Sequence, residues 1–172
     1  MDDVVSDDQG GMLRFERVLD APVETVWAWL TEPEKRKLWF ADGPMDLHEG
    51  GAVELVFDHD HLSEDDVPYP EDAIRWKGVT SRERVVTIDP PRLLAMTWDG
   101  GKNGVARFEL TPEGAGTRLV LTHTGIGDPG HRKGTAAGWR SHLAVLAGRL
   151  SGHPVRDFWK LHAESMKAVF GG

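Results

Sequence analysis

The amino-acid sequence predicts an α+β fold in which a curved antiparallel sheet of about six strands wraps a long helix near the C-terminus. Three observations carry this expectation. Val85 to Thr124 reads as apolar runs of two-residue period, divided by Pro90-Pro91, Asp99-Gly100-Gly101 and Glu113-Gly114-Ala115-Gly116. Proline cannot donate to a ladder and glycine supplies positive φ, so these runs form consecutive antiparallel strands. After Pro129 the spacing of Trp139, Leu143, Leu146 and Leu150 is helical. Ahead of the meander, a first strand and two short helices complete the layer.

The elements follow in order. Residues 1–11 are polar, end in Gly10-Gly11 and read as a flexible arm; residues 12–172 read as one domain. Leu13, Phe15, Arg17 and Leu19 share the inward face of the first strand. Asp20-Ala21-Pro22 starts a helix with Val23, Val26, Trp27 and Leu30 as its buried stripe, and Thr31-Glu32-Pro33 stops it. A second short helix runs from Pro33 to about Leu38, ahead of Trp39-Phe40 and the Asp42-Gly43-Pro44 turn. Asp46 to His48 and Val53 to Phe57 flank Glu49-Gly50-Gly51 as a hairpin. An acidic, proline-bearing loop spans Asp58 to Asp72 and on to Arg75, long enough to carry function or motion. Trp76 to Ile88 is expected as a long strand with Val86 and Ile88 of one parity. Inward residues of the later strands are Leu94, Met96 and Trp98, then Ala106, Phe108 and Leu110, then Leu119, Leu121 and His123. The long helix ends at Ser151-Gly152-His153-Pro154, and a last helix runs from Val155 to Phe170.

Composition narrows the function. The chain has 172 residues, a formal net charge of -8 and no cysteine. Disulfides and thiolate zinc sites are therefore excluded, and a cytoplasmic location is the simplest expectation. The acidic start lacks the charge and apolar run of a signal peptide, and no segment approaches the ~20 apolar residues of a membrane span, so no membrane partner is expected. Negative charge disfavours nucleic acid, whose non-specific binding needs clustered Lys and Arg. Seven tryptophans against one tyrosine suggest that some indoles line a space.

Ala21-Pro22 with Val26-Trp27, Trp39-Phe40, Gly50-Gly51, Ile88 to Leu94 with Thr97-Trp98, Phe108-Glu109-Leu110, Thr117 to His123, and Gly138-Trp139 with His142-Leu143 form an ordered series. Together they resemble the START-like (SRPBCC) superfamily, and within it the AHSA group of relatives of the activator of heat-shock protein 90 ATPase. The resemblance runs from about Met12 to Phe170. It implies the helix-grip fold, with a cavity for an apolar ligand between sheet and helix, and it implies no single reaction, because lipid carriers and polyketide cyclases share the fold.

Trp39, Trp76, Trp98, Phe108, Leu121, His123, Trp139, His142 and Leu143 are the candidate ligand-binding residues; core packing is the competing account of the aromatics. His123 is a candidate proton carrier or else a buried histidine satisfied by backbone. Inward Arg17 calls for a carboxylate, a cavity mouth or an anionic group. Asp58-His59-Asp60-His61 has metal-ligating residue types, but neighbours in an extended loop point apart, so no metal and no cofactor is expected. Catalytic signatures such as G-x-S-x-G, Walker A, G-x-G-x-x-G after a strand and H-E-x-x-H are missing.

The leading expectation is a protein that binds a small hydrophobic or amphipathic molecule between the sheet and the helix around Trp139 to Leu150. The alternatives are a cyclase-like or hydrolytic enzyme using the same pocket, with His123 and Arg17, and a co-chaperone-like module suggested by the group name. The eukaryotic activator relies on an additional N-terminal domain, for which this chain has no room. A homodimer through the last helix, with Phe158, Trp159 and Phe170, is a further expectation.

Overall fold

The computed structural model describes residues 4–6 and 12–169. Its centre is a seven-stranded antiparallel sheet in the order β1-β2-β7-β6-β5-β4-β3. The strands are β1 (Val4–Ser6), β2 (Met12–Leu19), β3 (Ala52–Phe57), β4 (Val79–Asp89), β5 (Leu93–Thr97), β6 (Val105–Glu113) and β7 (Gly116–Thr124). Helices α1 (Val23–Thr31) and α2 (Pro33–Arg36) follow β2, and α3 (Pro129–Ser151) and α4 (Phe158–Val169) close the chain. The sheet curls around α3, as expected from the strand periodicity and the change of period at Pro129, and this is the helix-grip fold that the family resemblance implies. Of the expected N-terminal arm, Val4–Ser6 pairs with β2, and the rest lies outside the described residues.

Long-range order begins with β2, which pairs with β7 from Leu13 opposite His123 to Leu19 opposite Thr117. This brings the first strand and the last onto one core face, where Leu13, Phe15, Leu119 and Leu121 are fully buried. Asp128 caps α3 by accepting from the His131 N–H at 2.8 Å, Pro129 fills its first turn, and Gly152 ends it in the left-handed region. Trp39, Phe108, Trp139, Leu143, Val145 and Leu146 fill the interior between sheet and α3, each worth roughly 1.5–3 kcal/mol of burial. Arg36 is 1 % exposed and ties the turn after α2 to the core by donating to the carbonyls of Thr31, Ala41 and Gly43.

Four boundaries differ from the sequence reading. Asp46 to His48 forms no strand: single bridges join Asp42 to Val56 and Met45 to Val53 along the edge of β3. There Gly51 packs so closely that a Cβ would lie 2.1 Å from the Asp46 carbonyl. Strand β4 starts at Val79, because Ile74–Trp76 is a 3-10 turn and Gly78, at φ 74°, bonds back to Phe57. Residues 58–78 thus form one strap that joins β3 to β4 and packs against the start of α4. A bulge between Val85 and Thr87 reverses the parity of β4, so Val85 and Glu83 are buried and Val86 is 43 % exposed. The last helix begins at Phe158, three residues after the expected Val155, and its expected end at Phe170 lies outside the described residues.

Candidate functional site

The space between the sheet and the middle of α3 is filled by side chains. Trp39, Phe108, Leu121, His123, Trp139 and Leu143 are each 2 % exposed or less. Their polar edges are satisfied internally. Trp39 Nε1–H donates to the Trp29 carbonyl at 2.7 Å, and Trp139 Nε1–H donates to His123 Nδ1 at 2.9 Å. His123 Nε2–H in turn donates to the Asn103 carbonyl at 2.8 Å, so both ring nitrogens are engaged and the neutral tautomer is fixed. Burial lowers its pKa, against the opposing pull of the Asn103 carbonyl. Locked behind Trp139, His123 has neither a lone pair nor a proton to offer a ligand.

Arg17 lies on the same sheet face but away from His123. It pairs with Leu119, four positions along β2 from the Leu13–His123 pair, or about 13 Å. Its guanidinium donates to the Glu16 carbonyl at 2.8 Å and sits 5.9 Å from the Phe15 ring centroid. The two residues do not converge on one reacting centre.

The open space lies to one side of this packed interior. A groove of about 1100 Å³ runs between the first half of α3, α4 and the strap, with Phe57, His59, Trp98, His142, Phe158, Trp159 and His162 among its walls. A recess of about 60 Å³ beside Trp139, lined also by Phe40 and Gly138, adjoins it through Phe57, Trp98, Thr135 and His142. Of the candidate residues, Trp76, Trp98 and His142 line the groove, Trp139 reaches the recess, and Trp39, Phe108, Leu121, His123 and Leu143 line neither. Trp76 comes from the strap and is 52 % exposed, with Arg75 over its ring at 5.2 Å.

The sequence reading missed the histidine and aromatic cluster that forms the groove's inner wall. His59 is in ring contact with Trp159 at 4.9 Å, Phe158 at 5.1 Å, His142 at 5.5 Å and Tyr69 at 5.7 Å between centroids. The Tyr69 hydroxyl accepts the His59 backbone N–H at 2.6 Å and lies 3.1 Å from its Nδ1, pinning the strap. The one signal available was a lone tyrosine between Pro68 and Pro70. His59, read for its metal-like neighbours, turns inward, while Asp60 pairs with Lys77 at 2.5 Å and His61 stays exposed. Among the described residues no group of three or more His, Cys, Asp or Glu is placed to hold a metal ion.

Burial makes these imidazoles hard to protonate. The pKa of His59 falls to about 4, chiefly by desolvation and then by His162, with Asp58 and Asp60 opposing. That of His142 falls to about 3 by desolvation and the neighbouring His59, against its bond to the Trp39 carbonyl. His162 is lowered by burial and partly restored by Asp72. The inner wall is thus neutral and aromatic at ordinary pH, while the groove also carries Asp72, Arg75, Asp128 and Lys167, all exposed.

Comparison with known proteins places this geometry. The family model described as "Activator of Hsp90 ATPase homolog 1-like protein" matches residues 20–151. A solution structure of a Bordetella parapertussis protein is similar at 36 % identity and TM-score 0.80, covering 97 % of this chain and 88 % of that one. The crystal structure of CalU16 from Micromonospora echinospora has TM-score 0.67 at 22 % identity, covering 96 % and 91 %. The solution structure of the Aha1 dimer from Colwellia psychrerythraea has TM-score 0.61 at 14 % identity, covering 83 % and 97 %. No curated protein matches the sequence. Among the described residues no helix is long and apolar enough to cross a membrane.

Proposed function

The chain belongs to the activator of Hsp90 ATPase homolog 1-like family, and from that premise we propose that it binds a small hydrophobic or amphipathic molecule. The observation that carries the reading is the groove of about 1100 Å³, with aromatic rings on its inner wall and charged groups exposed along it. Ligand pockets are usually concave, mostly apolar and furnished with few polar groups. The site differs from the one expected by sequence: the ligand lies between α3, α4 and the strap, because the space beneath the middle of α3 is occupied by Trp39, Phe108 and Trp139.

Native mass spectrometry of protein purified without detergent, joined to an amide-shift map with the extracted molecule, tests the reading. A stoichiometric adduct whose shifts concentrate at residues 57–59, 134–142 and 158–166 is the expected result. Shifts confined to the far side of the sheet would place the ligand elsewhere and overturn it. Association with a heat-shock protein 90 homologue rests on the family name alone, and a pull-down that recovers none retires it. The homodimer expected through the last helix finds support in the description of the Colwellia relative as a dimer. In this chain Phe158 is buried and Trp159 half-buried against the core, which leaves little of that apolar face for a second copy.

A further inference from the structure

The Nε2 of His142, in the groove, has no hydrogen-bond partner among the described residues. His142 is only 7 % exposed, and its Nδ1 lies 2.8 Å from the Trp39 carbonyl oxygen. A carbonyl can only accept, so the ring proton sits on Nδ1 and Nε2 keeps its lone pair. Among the described residues Nε2 has no partner, yet no fully buried side-chain nitrogen or oxygen lacks one. Nε2 therefore opens onto space. That space is where the groove meets the recess of about 60 Å³, several times what a single water needs, roughly 10–15 Å³.

The helix beneath it is built to stay flat. Gly134 and Gly138 lie on the side of α3 that carries Thr135 and His142, and a Cβ at either would meet nothing within 4 Å. Glycine is the costliest helix residue after proline, and packing does not require it here. What the two glycines achieve is an unobstructed track along α3 to His142. The facing walls are the flat rings of Phe57, Trp98 and Phe158.

We propose that the groove takes a planar aromatic molecule bearing a neutral hydroxyl, inserted along the glycine track so that the hydroxyl donates its proton to His142 Nε2. The proposal rests on the binding reading above. A ketone or carboxylate finds no proton on Nε2, because burial holds the imidazole neutral. An ammonium would lose its hydration against aromatic walls, whereas Asp72 and Asp128 are solvent-exposed.

The test compares β-naphthol with its methyl ether, binding to the full chain, by calorimetry and by imidazole nitrogen NMR. β-Naphthol is expected to bind about tenfold tighter than the ether, with the His142 Nε2 resonance moving on saturation while Nδ1 stays. Gly138→Leu, checked for folding by circular dichroism, is expected to weaken β-naphthol about tenfold or more by filling the recess. Equal affinity for the two probes, or an unmoved Nε2 resonance at saturation, overturns the proposal and leaves the binding reading standing. Failure of both probes to bind overturns the proposal, and the adduct test above then decides the binding reading.

Discussion

At the scale of single residues, the histidines divide by what their nitrogens touch. His123 spends both on Asn103 and Trp139, so it is a bracket between the β5–β6 turn and α3. His123→Leu would strand a carbonyl and an indole N–H, and is expected to cost about 2–4 kcal/mol in urea unfolding while leaving the groove's shape intact. His59 and His142 instead couple stability to pH. Their folded pKa values of about 4 and about 3 lie below the usual 6.5, so in that interval the unfolded chain binds protons that the native one does not. Their contribution is complete above about pH 6.5 and is lost as pH falls toward the folded values. Urea midpoints should decline from about pH 7 to about pH 4.5, and His142→Phe should flatten that slope.

At the scale of elements, α3 carries two demands that pull apart. Its sheet side is packed with Trp139, Leu143 and Leu146, whereas its groove side keeps Gly134 and Gly138. Gly138→Ala meets no steric opposition, and is expected to raise stability by about 0.4–1 kcal/mol, read as a higher melting temperature. The strap is held by the Tyr69 hydroxyl, the Lys77–Asp60 pair and the bidentate Arg156–Asp65 pair. Tyr69→Phe should therefore speed limited proteolysis within residues 70–76 without a matching fall in global stability. These elements also mark what sequence could reveal. Two-residue alternation exposed β2, β6 and β7, because each has one buried and one wet face. It failed in β4, where the bulge at Val85/Thr87 inserts a residue that no local pattern announces. The hairpin reading of Asp46 to His48 failed because a pair of bridges suffices to cover that edge.

At the scale of the whole molecule, the family resemblance implied the helix-grip fold, and tertiary packing filled the space beneath α3 and left a groove to one side of it. Trp39 and Trp139 are large enough to fill the space beneath α3, a result of three-dimensional volume that a one-dimensional pattern does not contain. His59 meets Phe158 and Trp159 only after the strap folds against α4, so that partnership had no spacing to betray it, whereas Phe158 and His162 are already i, i+4 neighbours on α4. Because the groove's walls come from segments distant along the chain, a ligand there recognises only the folded state. Its binding should raise the melting temperature in a concentration-dependent way, by RT ln(1 + [L]/Kd) in free energy, which differential scanning calorimetry can follow. The match to the family model ends at residue 151, where α3 ends. Helix α4, with Phe158, Trp159 and His162 of the groove wall, lies beyond it. Exchanging Phe158, Trp159 and His162 would therefore reshape one wall of the groove while the sheet, and the helix it grips, keep the same address in the fold.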